Sequence, residues 1–134
     1  MSAPQDARAH LEKAREFLDA ARFSFDLSLY NPATSDAVVS GINSKDAICL
    51  RLTGSTRKAD NHAEAVAELK GAGPAGAALA PTLSRLLKLK TKSQYQSASV
   101  AASDASKAIE WATRLLAGAE EVVSAVRAAR LARQ

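Results

Sequence analysis

Cysteine, aromatic residues and long apolar runs are all scarce in this sequence. A single cysteine, Cys49, stands among 134 residues, which excludes an intramolecular disulfide framework and a multi-cysteine metal site. Aromatic residues make up only 4% of the chain, and β-branched residues are sparse, which argues against a sheet-rich fold. No apolar run approaches the roughly 18 residues that suggest a membrane span. The stretch MSAPQDARAHLEKAREFL has no apolar core and does not read as a signal peptide. A soluble cytoplasmic protein is therefore expected. The glycine-containing stretch GAGPAG has neither the lysine nor the strand context of a phosphate loop. Two histidines and one cysteine give a zinc site no basis, and no metal or cofactor is expected.

Alanine, in contrast, fills 30 of the 134 positions, and 47% of the residues are apolar. That composition favours close-packed helices. The length suits one domain spanning residues 1–134. The net charge is +4, which permits an acidic partner such as nucleic acid without requiring one. Arg85, Lys88, Lys90 and Lys92 fall in a stretch without an acidic residue between Glu68 and Asp104. Arg127, Arg130 and Arg133 form a second basic cluster, which the dipole of a helix C-terminus also explains.

The pattern gives four to five helices. Ala7, Leu11, Ala14, Leu18, Ala21 and Phe25 alternate four and three residues apart, placing one apolar stripe on a helix from about Pro4 to Ser28. Asn31 can cap and Pro32 can open a second helix reaching about Leu52, with Gly54 ending it. This second helix is less clearly amphipathic. It carries Val38, Ile42 and Cys49, the small Gly41 and Ser44, and polar Asn43, Lys45 and Asp46 midway. Asp60 or Asn61 can cap a short third helix over about Asn61 to Leu69. A fourth helix, about Ala75 to Leu89, presents Leu79, Leu83, Leu86 and Leu87, and Pro81 is expected to start or kink it. The polar TKSQYQSAS reads as a loop. From about Ser103, a good cap, to Arg130 the positions Ala105, Ile109, Ala112, Leu116, Ala119, Val123 and Val126 hold the same alternation. Such a helix spans roughly 42 Å at 1.5 Å per residue and suits the spine of an up-and-down bundle.

The order of these pieces resembles a known family. It runs from SLYNPA through SDAVVSGINSKDAICLRLTG, DNHAEAV, LSRLLKLK and KTKSQY to ASDASKAIEWATRLL. Over about Ala7 to Val123 it is similar to the HEPN domain, named for higher eukaryotes and prokaryotes nucleotide-binding. The resemblance implies an all-α, up-and-down helical bundle, often dimeric. It implies a setting in toxin–antitoxin, CRISPR or other defence systems, sometimes beside a nucleotidyltransferase. Some members are metal-independent RNases that use an Arg, four to six residues, then a His, completed across a dimer.

Arg57-Lys58-Ala59-Asp60-Asn61-His62 has that spacing. A neutral imidazole can take a 2′-hydroxyl proton, and a guanidinium can neutralise charge growing on the phosphorus oxygens. In the family's RNases, however, the motif lies later, near the stretch that here reads LSRLLKLKTKSQY and has no histidine. His62 also matches the loop histidine of many members without that motif. Three readings of His62 stay open: an RNase site with Arg57, a surface or capping histidine, and a binding role.

The other candidates concern binding. Ser44 and Asp46 in the second helix, with His62, Lys92 and Tyr95 from the loops, could line a polar cleft. The alternative is a solvated face, and Lys45 and Asp46 are expected to point outward in part. Lys92 and Tyr95, three residues apart, could hold a phosphate and a base or sugar; Tyr95 could also simply pack its ring on the bundle. Cys49 is expected to be a buried, inert thiol, His10 to be solvent-exposed, and Trp111 to pack at the core or a dimer contact. The preferred reading is a nucleotide- or RNA-binding module, expected to be a homodimer, with a nucleotidyltransferase or other toxin–antitoxin protein as a possible partner. The alternatives are an endoribonuclease using Arg57 and His62 and a helical adaptor with no nucleic-acid role.

Overall fold

The computed structural model describes residues 3–57, 61–95 and 99–132. Five helices account for nearly all of them: α1 (Ala3–Asp26), α2 (Tyr30–Thr53), α3 (His62–Gly71), α4 (Pro74–Tyr95) and α5 (Ala102–Ala132). Among the described residues there is no strand. The architecture is the expected all-α bundle with a long last helix.

Helix α2 sits at the centre, packed on α1, α5 and α4 and touching α3. This explains its weak amphipathicity in sequence. A helix with neighbours on several sides has no single solvent face to mark with charges. Its buried residues run nearly all round, from Ala33, Ala37 and Val38 to Ile48, Cys49 and Leu50. Close packing needs small residues. A Cβ built on Gly41 would collide with Leu86 of α4 and lie 3.2 Å from Leu115 of α5, so this glycine lets three helices meet. Ser40, also buried, donates a 2.7 Å hydrogen bond to the Ala14 carbonyl of α1.

The α1 stripe is buried as the alternation requires, with Ala7, Leu11, Ala14, Leu18 and Ala21 all in the core. The helix ends two residues before Ser28. Ser28 takes φ 63°, its N–H bonds the Phe25 carbonyl at 2.9 Å, and Leu29 N–H bonds the Ser24 carbonyl at 2.8 Å. These two bonds make a Schellman motif, with serine where glycine is usual. The Phe25 and Tyr30 rings, 5.5 Å between centroids, bridge the corner.

Several boundaries differ from the pattern, each for a local reason. Leu29, not Asn31, precedes α2, and no side chain caps it. The Asn31 Oδ1 instead accepts the Val100 N–H at 2.9 Å, tying α2 to the approach to α5. Asn61 caps α3 as proposed, accepting from Glu64 N–H at 2.9 Å, while Asp60 lies outside the described residues. Helix α4 begins at Pro74 and runs through Pro81 to Tyr95. The Pro81 ring lies on the exposed side, so the backbone bond it deletes is lost toward water while Ala80, Thr82 and Leu83 beside it are buried. The stretch TKSQY contains no glycine or proline, and Lys92 Nζ meets Asp104 Oδ2 at 2.6 Å, which fastens it to α5 as helix rather than loop. Helix α5 starts one residue early. The Ala101 carbonyl accepts from both Asp104 and Ala105, so Ser103 lies within the first turn.

The buried face of α5 centres on Ala108, Ala112, Leu115 and Ala119, with Ala105, Leu116, Val122 and Val123 beside them. Ile109 is only half-buried. The stripe is thus rotated slightly from the one read by alternation, toward Leu115, and Trp111 packs at its edge. The side chains of Val126, Arg127 and Arg130, and the residue Arg133, lie outside the described part of the structure.

Candidate functional site

A cleft of about 950 Å³ opens where α1, α2, α3 and α4 converge. Each helix contributes by its own period. On α4, Leu83, Leu87 and Lys90 follow one another at four and three residues, so one face turns from apolar floor to cationic rim. On α1, His10 and Lys13 are three apart and share a face. Helix α2 supplies Ile42, Asn43 and Asp46, and α3 supplies His62 and Ala65 from its first turn. Arg57 joins from the α2–α3 loop. The floor is therefore aliphatic and the rim mostly basic.

Beneath the rim lies a buried charge network. Lys45, in the middle of α2, is only 2% exposed, which corrects the expectation that it points outward. Its ammonium pairs with Glu68 of α3 and, at 3.0 Å, with Asp46. It also donates to Thr56 Oγ1 and to the Arg57 carbonyl, both at 3.2 Å. Thr56 donates to Asp46 Oδ1 at 2.7 Å, and Arg57 N–H donates to Glu68 Oε2 at 3.0 Å. An isolated buried ammonium would be costly; here every donor direction meets an oxygen. Burial opposes the charge on Lys45, but the bonds and charges of Glu68 and Asp46 outweigh it and raise its pKa above the usual lysine value. Burial likewise works against the Glu68 carboxylate, and the Lys45 hydrogen bond and charge, with Arg57 N–H and Thr56, more than offset it, leaving its pKa below the usual value. The network holds the Arg57 backbone from two sides.

The two histidines sit differently. His10, expected in solvent, is half-buried and bonds through Nδ1 to Asn43 Oδ1 at 2.8 Å. Asn43 Nδ2 donates to the Val39 carbonyl at 3.0 Å, so its oxygen faces the ring and assigns the Nδ1 proton. Asp46 Oδ2 lies 3.9 Å from Nδ1, an ion pair once the ring is protonated. His62 is the first residue of α3. Burial, then the Lys90 charge, lowers its pKa from the usual 6.5, so at neutral pH it is an uncharged imidazole.

Of the residues proposed from sequence, Asp46, Arg57 and His62 line this cleft. Ser44 does not. It is fully buried in α2, and its Oγ has no hydrogen-bond partner among the described residues. Its register places it on the core side, three residues on from Gly41. Lys92 is also absent from the cleft, engaged instead with Asp104 of α5; Lys90, two residues earlier, takes the rim position. The Tyr95 side chain lies outside the described part of the structure. Sequence reading missed His10, Lys13, Asn43, Glu68 and Lys90. The signal for Lys90 was available in the Leu83–Leu87–Lys90 spacing, whereas His10 and Glu68 become partners only through the tertiary fold.

Cys49 is buried, and burial pushes its thiol up to about 12, so it is inert as expected. Among the described residues no group of three or more His, Cys, Asp or Glu side chains could hold a metal ion. No helix among them is long and apolar enough to cross a membrane.

No curated protein matches this sequence. The family model described as the HEPN domain matches residues 7–127, which runs from the first core alanine of α1 to within a few residues of the end of α5. The chain belongs to the HEPN domain family.

Proposed function

We propose that this protein is a nucleotide- or RNA-binding module whose ligand occupies the cleft between α1, α2, α3 and α4. One observation carries the reading: Lys13, Arg57 and Lys90 ring an aliphatic floor of Ile42, Leu83 and Leu87 in a cleft of about 950 Å³. A flat base suits the floor and a phosphate suits the rim, and the volume falls within the roughly 300–1,000 Å³ of ordinary ligand pockets. Asn43 and the neutral His62 add directional hydrogen bonding for the base or sugar. Family membership supports the same class of ligand. Titration of labelled single-stranded RNA and of mononucleotides at 50 to 300 mM salt tests it. Affinity should fall steeply with salt and fall again in Arg57→Ala and Lys90→Gln. Salt-independent binding, or none, would refute it.

A second reading is favoured by the neutral state of His62 in the same cleft as Arg57. His62 would take the 2′-hydroxyl proton and Arg57 would stabilise the phosphorane in a metal-independent endoribonuclease. Cleavage in EDTA that is lost in His62→Ala supports it; cleavage unchanged in that variant removes it. A toxin–antitoxin or defence setting goes with either reading. So does pairing with a second copy, for which the exposed Phe23, Leu27 and Leu29 at the α1–α2 corner offer apolar surface.

A further inference from the structure

His10 and Lys13 line two cavities. Besides the main cleft they line a smaller one of about 360 Å³, which also touches Asp6, Ala9, Leu50 and Thr56. Thr56 and Arg57 are consecutive, and one lines each cavity. The His10 and Lys13 side chains, with the Thr56–Arg57 backbone, thus form a ridge between two adjoining hollows.

Charge is ordered across this ridge. The main cleft has an aliphatic floor, and its one carboxylate among the described residues, Asp46, is already engaged by the Lys45 ammonium and the Thr56 hydroxyl. Lys13 is the cation that lines both cavities, Arg57 stands on the main-cleft side, and His10 is turned toward Asn43 through Nδ1. The smaller cavity has Asp6 as its carboxylate and Leu50 as its apolar wall. A carboxylate repels a phosphate but accepts from hydroxyl and amino donors. The smaller cavity therefore suits an uncharged nucleoside, and the anion belongs on the ridge. The ridge is also rigid. Arg57 is held through its carbonyl by Lys45 and through its N–H by Glu68. Thr56 is held by Asp46, and His10 by Asn43.

We infer that the site binds two consecutive nucleosides of a single strand, one in each cavity, with the phosphodiester between them on the ridge, at Lys13 and Arg57. This rests on the main cleft being a nucleotide site. It makes the ligand an oligonucleotide rather than a free mononucleotide, because a mononucleotide leaves the smaller cavity empty. A linked second contact is intramolecular and so adds affinity without a second association cost.

The test is calorimetric titration of the full chain with AMP and with the dinucleoside monophosphate ApA. ApA carries less charge than AMP, so charge alone would rank it weaker. The inference expects ApA to bind about tenfold tighter. Ala9→Trp fills the smaller cavity from a half-buried position on α1, and Asp6→Trp does so from the first turn; circular dichroism checks that each is folded. Either substitution should reduce ApA to the AMP level or below, and Ala9→Trp, which changes no charge, should leave AMP unchanged. If AMP binds and ApA is no tighter, or if the ApA advantage survives both blocks, the inference is overturned while the nucleotide site stands. If neither ligand binds, the nucleotide reading falls, and this inference with it.

Discussion

Replacing Glu68 by leucine would leave Lys45 buried with Asp46 as its remaining carboxylate partner. Lys45 is 2% exposed, whereas the side chains of Asp46 and Glu68 are 15% and 20% exposed. Breaking a buried pair by removing one partner costs about 3–5 kcal/mol. Asp46 and Thr56 still hold the ammonium here, and some solvent reaches the site, so about 2–3 kcal/mol is expected. Part of that is the Arg57 N–H, which loses its acceptor. For a chain of this size the loss lowers the melting temperature by about 10 °C. The pH dependence is a second signature. The folded-state pKa of Glu68 lies below its ordinary value, so its contribution is complete above the unfolded value of about 4.5 and is lost as pH falls through the folded value. Urea denaturation of wild type and Glu68→Leu should therefore show a full gap at pH 7 that narrows below about pH 4.5. Lys45→Met combined with Glu68→Leu should recover part of the loss, because the underpaired ammonium is gone, while the Arg57 N–H still lacks its acceptor and Asp46 keeps only Thr56 of these partners. A single variant as stable as wild type, or a double variant no better than Glu68→Leu, would refute the reasoning.

Other outcomes follow from single positions. Ser28→Gly relieves a left-handed non-glycine residue at the α1 terminus and should stabilise by about 0.5–1 kcal/mol in thermal melts, net of the added chain entropy. Gly41→Val pushes a side chain into Leu86 and Leu115 and should cost about 1–3 kcal/mol in urea denaturation. His62 should titrate below pH 6.5 by NMR, and Lys90→Gln should move its midpoint upward without reaching 6.5, because burial, the larger cause, remains.

The helices were legible because α1 and α5 each bury one stripe against a single side of the bundle, and alternation reports such a stripe. Helix α2 was harder, since its neighbours surround it and its sequence carries no preferred face. The end of α4 was misread because TKSQY is polar in sequence, while the Lys92–Asp104 pair that fastens it is a tertiary contact. The site was legible only where its residues lie close in the chain, as for Asp46, Arg57 and His62. Ser44 and Asp46 differ by two positions, about 200° around a helix, which sends one to the core and the other to the cleft. His10 looked like one more polar residue on α1 until Asn43, 33 residues away, was seen to face it.

The clasp between Asn31 and Val100 joins positions 69 residues apart. Helices α1 and α2 meet across a tight corner and can pair early, with little loop to close. The clasp must await α5, at the far end of a long loop whose closure entropy is due first. It should be absent from the folding transition state and present in the native state. Asn31→Ala should then accelerate unfolding while leaving the refolding rate nearly unchanged, as stopped-flow chevrons would show. In the cell, such a clasp would lengthen the lifetime of the closed bundle without slowing its formation.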